Sequence, residues 1–490
     1  MLALYLIAAA VVGWVTYRLQ LDPLAHIPGP FLAKFLPVCN IRMILTGKLM
    51  YTFKELHDTY GPVVRIGPTD LSFDTVTAFD SIYGFGGDQH FSLHGSRKGL
   101  LGSLAGMGSS LSNSTRREQR RLLRPLITTT LTELTATSTE RYCNIALSEN
   151  LRAHSVGQTG ATPISLSTLY DRCLWQLGTM VAFGNRSSEM ARVQFHINLR
   201  WLDYFMCFLE VFCAFLSRAY IQDHVPAFYK AWQIGCAGFR QQSDPSWTEQ
   251  QPDDASFDDN QLVRLKSAAL KAGLADIPDE LLQVNSIITG FSVYGATENT
   301  LNTLLYYLLK DRHCMQKLED ELLTAFRSID EVSDSRLAKL PYFNACINEN
   351  FRIAPAFNGG ILQRVSCGAT VDGIYVPPGV GVAVDHYTLA HSKQYWENPD
   401  TFYPERWLET NAKDEFKATR PFLIGVRQCP GRQMAYQMVR VLVAKMVYLY
   451  SMELVNKDFD LRRDSLSSYH WGHVKLDVVM TPRTPGILGY

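Results

Sequence analysis

Charge is scarce in this sequence and has no overall sign. Asp, Glu, Lys and Arg make up 19% of the 490 residues, 47 basic against 47 acidic. That balance gives no global field for a polyanion, so nucleic acid is excluded as an expected partner. No Cys-x-x-Cys pair occurs among the ten scattered cysteines. A disulfide framework is therefore excluded, and most of these thiols read as small buried apolar groups in a reducing compartment. There is no internal repeat, no Ser/Pro/Gly tract long enough to divide the chain into thirds, and no H-E-x-x-H, P-loop or G-x-S-x-G motif. Gly379-Val380-Gly381 lacks the third glycine and following helix of a dinucleotide fingerprint, so NADPH is expected to bind a partner rather than this chain. The 47% hydrophobic content excludes intrinsic disorder.

Residues Met1 to Tyr17 carry no charge, and a basic leader and a small-residue cleavage site are both missing. Trp14, Tyr17 and Arg18 resemble interface anchors, which predicts a retained transmembrane anchor over residues 1–21 that spans a thinned bilayer. Arg18, Lys34 and Arg42 follow it, so the positive-inside rule puts residues 22–490 in the cytosol as one domain. The expected location is the endoplasmic reticulum membrane, as a single-pass protein.

Strand-like runs at Val63–Gly67 and Leu71–Phe73 flank a Pro68 turn, and Phe85 to Ser114 reads as a long loop. Helical spacing dominates from Arg116 to about residue 240, followed by an acidic connector at 241–261. Pro278-Asp279-Glu280 opens a helix that can run unbroken to about Lys310, long enough to cross a domain. Pro355 stops a later helix at Ala354, short strands follow between Thr370 and Val384, and a last helix is predicted from about Gln433 to Tyr450. The fold class is mainly α with small peripheral β-sheets.

One cysteine stands apart. Phe422-Leu423-Ile424-Gly425-Val426-Arg427-Gln428-Cys429-Pro430-Gly431 places Cys429 in a tight loop directly ahead of a helix, where the helix dipole and freed backbone N–H groups favour a thiolate and hence a metal ligand. This run matches F-x-x-G-x-R-x-C-x-G and resembles the haem-thiolate signature of the cytochrome P450 family, microsomal type. The loop and proline pattern is similar to that of fungal secondary-metabolism members. The resemblance implies the P450 fold with a long central helix over the haem (heme b, iron protoporphyrin IX). It makes Cys429 the axial iron ligand, with Phe422 and Gly431 part of the cofactor loop.

The same resemblance selects Glu349/Arg352 from four Glu-x-x-Arg pairs, because this pair precedes Pro355 and lies ahead of Tyr403-Pro404-Glu405-Arg406-Trp407. Glu349 and Arg352 share a helix face and can meet Arg406 in a buried charged network. Arg364 and Arg427 are the implied propionate partners, together with Arg120 in a run that resembles the family's W-x-x-x-R helix. Arg116 stands where that motif has Trp. Arg117, Arg121 and Arg124 form a second basic face, read either as solvated or as a docking patch for an acidic, NADPH-dependent flavoprotein reductase.

Gly295-Ala296-Thr297-Glu298-Asn299-Thr300 resembles the family's oxygen-side stretch, with Glu298 as the acid. Asn299 occupies the position of the usual threonine, and an amide cannot simply replace a hydroxyl in a proton chain. Thr300, Thr297 or a water is left to complete the relay. The implied reaction is insertion of one atom of O2 into a lipophilic small molecule by a monooxygenase. A haem-thiolate isomerase or dehydratase that needs no O2, and a non-catalytic haem protein, are the alternatives. The aromatic stretch from Trp201 to Phe215 reads as core packing or as an apolar lid.

Overall fold

The computed structural model describes residues 2–93, 113–153, 163–184, 259–274, 277, 279–358, 363–409, 413–467, 471–472 and 474–483. The aromatic stretch 201–215 and most of the acidic connector lie outside them. The helices that position the site are α1 (Leu2–Thr16), α2 (Asn113–Leu134), α3 (Glu140–Ala153), α4 (Leu166–Phe183), α5 (Asp279–Lys310), α6 (Pro341–Ile353) and α7 (Arg432–Leu449). A five-stranded sheet contains β1 (Val63–Gly67), β2 (Asp70–Phe73), β3 (Phe91–Leu93), β4 (Arg364–Ser366) and β5 (Gly381–Val384), in the order β1-β2-β5-β4-β3. Its one parallel pair, β2 with β5, aligns Asp70 with Gly381.

The helix α5 begins one residue after Pro278 and runs 32 residues, about 48 Å at 1.5 Å per residue. It lies close against α4, where a Cβ on Gly178 would come within 2.8 Å of the Gly290 carbonyl oxygen. Tyr294 Oη donates to Asp171 Oδ1 at 2.5 Å, and the Trp175 and Tyr294 rings meet edge to face at 5.8 Å. These contacts fix the rotation of α5 about its own axis. A second core, built from Leu71, Phe73, Phe79, Ile82, Val382, Val384 and Trp396, seats the sheet.

Two expectations change. Part of the supposed loop after Phe85 is ordered: Gly87–His90 forms a helical turn and leads into β3, whose Phe91 pairs with Ser366. The N-terminal helix is also shorter than its apolar run. Regular α-helix stops at Thr16 and gives way to a wider turn over Tyr17–Leu21, leaving a rise of about 22 Å against a hydrocarbon core of roughly 30 Å. Arg18 does not reach for an interface: its guanidinium bonds Asp22 at 3.0 Å and the Pro68 carbonyl at 3.2 Å. Trp14 packs on Phe35 at 5.3 Å. Among the described residues no helix is long and apolar enough to cross a membrane.

Candidate functional site

Cys429 sits on a loop held from three directions. Its own N–H donates to the Phe422 carbonyl at 2.7 Å, closing the loop across a one-turn helix at Gly425–Arg427. Gly425 has φ +70°, and a Cβ there would lie 2.5 Å from the Tyr83 carbonyl oxygen, so only glycine lets the loop approach this closely. From above, Arg124 Nη2 of α2 donates to the Gln428 carbonyl at 2.7 Å. Gly431, two residues beyond the cysteine, is the N-cap of α7.

Burial raises the Cys429 thiol above its ordinary range, while the Gly431 N–H and the Arg124 charge pull it back. The residue is nonetheless exposed, whereas Cys39, Cys143, Cys173, Cys314 and Cys346 are buried. An accessible thiol at a helix N-terminus beside a guanidinium is a soft, anion-forming donor, which suits haem iron; a bound metal would deprotonate it outright. Phe422 packs edge to face on Phe351 at 5.1 Å, tying the loop to α6.

The arginines predicted to meet propionates are placed differently from one another. Arg364 is buried on β4 with its guanidinium 5.2 Å from the centre of the Tyr83 ring. Arg427 is partly exposed and turned sideways, its Nε 2.8 Å from Asp88 Oδ1. That pair joins the cysteine loop to the Gly87–His90 turn. Arg116 and Arg120 lie on α2, but their side chains fall outside the described set. Arg124, read from the sequence only as part of a basic face, touches the loop from α2. Its position four residues beyond Arg120, one helical turn along, was the available signal.

Beneath the loop, the structure brings Glu349, Arg352 and Arg406 together with every charge met. Arg352 grips both Glu349 oxygens, Nη2 to Oε1 at 2.7 Å and Nε to Oε2 at 3.0 Å. It also donates to the carbonyls of Ala390, Pro399 and Thr401. Arg406 Nε reaches Glu349 Oε1 at 3.1 Å and its Nη1 reaches Asp414 at 2.7 Å. The Trp407 indole N–H and the Tyr403 amide, both 2.9 Å from Glu349, complete the carboxylate's shell. Asp414 and Trp407 are members that sequence reasoning did not name.

On α5, Glu298 accepts from Asn302 Nδ2 at 3.2 Å. Thr300 faces elsewhere: at 100° per residue it lies on the far side of the helix from Glu298 and Gly295. Its hydroxyl donates to the Ala296 carbonyl at 2.8 Å, and its own carbonyl accepts from Asn350 of α6 at 3.1 Å. Among the described residues, a Cβ on Gly295 would meet no atom within 4 Å, whereas the Thr300 face borders packed core.

The sequence model of the cytochrome P450 family matches residues 28–469. The cytochrome P450 monooxygenase bfoB of Aspergillus brasiliensis is 61% identical over the whole of both chains. The cytochrome P450 monooxygenase aunB of Aspergillus niger is 57% identical, covering 98% of this chain and all of its own. Sesterfisheric acid synthase of Neosartorya fischeri is 29% identical over 95% of this chain and 93% of its own.

Proposed function

The chain belongs to the cytochrome P450 family, and from that premise we propose that Cys429 would supply the thiolate that holds its haem b and that the enzyme works in a fungal secondary-metabolite pathway. It is a haem-thiolate monooxygenase. The isomerase and carrier alternatives are not needed for a chain so similar over its full length to monooxygenases. The observation that carries the ligand assignment is the exposed thiol at the start of α7, braced by Arg124 and Gly425.

The bound haem supplies oxygen activation at an iron made electron-rich by its thiolate. The chain holds the cofactor and moves protons. Arg364 and the more exposed Arg427, with Arg120, would neutralise the propionates. Phe422 and Gly431 shape the loop around the sulfur. Glu349, Arg352 and Arg406 keep the polypeptide beneath that loop rigid, and Glu298 with Asn299 handles protons on the opposite side.

Electrons come from a redox-partner reductase, and we assign this role to an NADPH-dependent flavoprotein with an acidic face, drawn to the arginines of α2. The substrate is lipophilic. Residues 22–490 act as one catalytic domain, facing the cytosol at the endoplasmic reticulum membrane. Attachment there falls to the apolar helix α1 with exposed Leu21, Phe31 and Leu32.

The test is the reduced protein with carbon monoxide. The wild type is expected to show the red-shifted thiolate band and Cys429→Ala to lose it; unchanged colour and turnover in Cys429→Ala overturns the assignment. One atom of labelled O2 appearing in the product confirms the oxygenase chemistry.

A further inference from the structure

At the base of α1 two arginines share one carboxylate. Arg65 Nη2 donates to Asp22 Oδ2 at 2.6 Å, and Arg18 Nη1 donates to the same oxygen at 3.0 Å. Both guanidinium groups also donate to the Pro68 carbonyl, at 2.7 and 3.2 Å. Arg65 Nε takes the Gly67 carbonyl at 3.3 Å, and the other Asp22 oxygen accepts the Leu24 N–H at 2.9 Å. Burial works to raise the Asp22 carboxyl, but its bonds to the Leu24 N–H, Arg65 and Arg18 outweigh that and hold it below its ordinary range. The three side chains therefore sum to one positive charge. Arg65 is 1% exposed, yet its Nη1 has no hydrogen-bond partner, and neither has the buried Nε of Arg18. Unsatisfied buried N–H groups are costly, and they mark the place of a missing ion or water.

The free edge of Arg18 has a specific shape. In a guanidinium, Nε–H and Nη2–H point the same way and form the fork that grips a phosphate. In Arg18 only Nη1 is turned to Asp22 and Pro68, so among the described residues that fork is unused. The side chain is 18% exposed, which leaves its edge within reach from outside. An apolar rim lies beside it: the Trp14 and Phe31 rings flank Phe35 at 5.3 and 5.6 Å, and Trp14, Tyr17, Leu21 and Phe31 are all exposed.

We propose that this cluster binds the phosphodiester of an anionic phospholipid, with the Arg18 fork on the phosphate and the acyl chains along the rim. The inference rests on the reading of α1 as the segment that meets the membrane. Asp22 and Arg65 are positioning residues: they hold Nη1 of Arg18 inward so that the fork faces out. Selectivity follows from charge, because one positive charge is met by a phosphodiester alone, whereas phosphatidylcholine brings its own cation. Arg18 is folded back onto the domain, so the headgroup is taken at the domain's edge. Its capture fixes the phosphate plane of the bilayer against the β1–β2 turn.

The test uses haem-loaded full-length protein in neutral detergent and isothermal titration with three probes: dihexanoyl phosphatidylglycerol, dihexanoyl phosphatidylcholine and inorganic phosphate. The wild type is expected to bind phosphatidylglycerol roughly tenfold more tightly than either of the others. Arg18→Gln should weaken that binding roughly tenfold and keep the thiolate band with carbon monoxide. Arg18→Lys retains the charge without the fork and should recover only part of the loss. Lys34→Gln removes the same charge nearby, from a side chain already engaged with the Ala25 carbonyl at 3.3 Å, and should bind as the wild type does. Equal affinity for the two lipids, an equal loss in Lys34→Gln and Arg18→Gln, or inorganic phosphate binding as tightly as phosphatidylglycerol overturns the proposal. Failure of the wild type to sediment with phosphatidylcholine vesicles would instead overturn the membrane reading beneath it.

Discussion

Arg124 Nη2 donates to the Gln428 carbonyl at 2.7 Å, which sets a guanidinium against the peptide that delivers Cys429. A positive charge there withdraws electron density from the sulfur and so from any metal it binds. Replacing Arg124 with Gln keeps a donor and removes the charge. The midpoint potential of the haem iron is expected to move to more negative values in Arg124→Gln and to stay near wild type in Arg124→Lys, as read by spectroelectrochemistry. Equal potentials in all three proteins would show that Arg124 only braces the loop.

The Glu349 network makes a graded prediction. Arg352→Ala strands a buried carboxylate beside Arg406 and is expected to remove roughly 3–5 kcal/mol, enough to prevent recovery of haem-loaded protein. Trp407→Phe deletes only one of the donors to Glu349, so it should cost about 1 kcal/mol and leave the haem content normal. Haem-to-protein ratios after expression, with thermal midpoints, check both.

Much of this scaffold was readable because prolines punctuate it: Pro278 precedes α5, Pro341 opens α6 and Pro355 follows it. Position relative to the motifs of the resembled family was enough to choose Glu349 and Arg352 among four Glu-x-x-Arg pairs. Pairings between distant segments were not readable. Nothing local in the sequence says that Arg427 will meet Asp88, or that Arg406 will divide itself between Glu349 and Asp414. The apolar run at the N-terminus gave the composition of α1 but not its end, which is set where Arg18 turns to Asp22 and Pro68. Thr300 is a different failure. Helix periodicity alone separates it from Glu298, but the motif resemblance kept the two together.

Two glycines of the cysteine loop should respond in opposite ways. Gly425→Ala forces a positive φ on alanine and drives a Cβ to 2.5 Å from Tyr83's backbone oxygen, a strain of about 1–3 kcal/mol that displaces the loop. Gly431 has φ −88°, and its added Cβ would rest 3.9 Å from the Cys429 sulfur. Gly431→Ala is therefore expected to bind haem and to cost only about 1 kcal/mol, the penalty for alanine at the N-cap of α7. Gly425→Ala should lose haem and unfold at lower temperature. Matching haem content in the two variants would contradict the close approach at Gly425.

Acid stability turns on three buried histidines and the half-buried Asp74. Burial lowers His57 and His386 to about 4 and His391 to about 3, and raises the Asp74 carboxyl to about 7. Between pH 6.5 and 4 the folded protein keeps the three histidines neutral and Asp74 protonated, whereas the unfolded chain does the reverse. Unfolding there takes up three protons and releases one, so stability falls as pH falls, by about 1.4 kcal/mol per net proton per pH unit. Asp74 works against that trend, since its contribution is lost as pH rises from about 4 to 7. Its Oδ1 is buried with no partner. Asp74→Asn is expected to stabilise the protein at pH 8 by roughly 1–3 kcal/mol, to have little effect below pH 4, and to steepen the loss between. Denaturant titrations of wild type and variant across pH 4–8 measure this; a variant curve parallel to the wild type would show that Asp74 is ionised in the folded state.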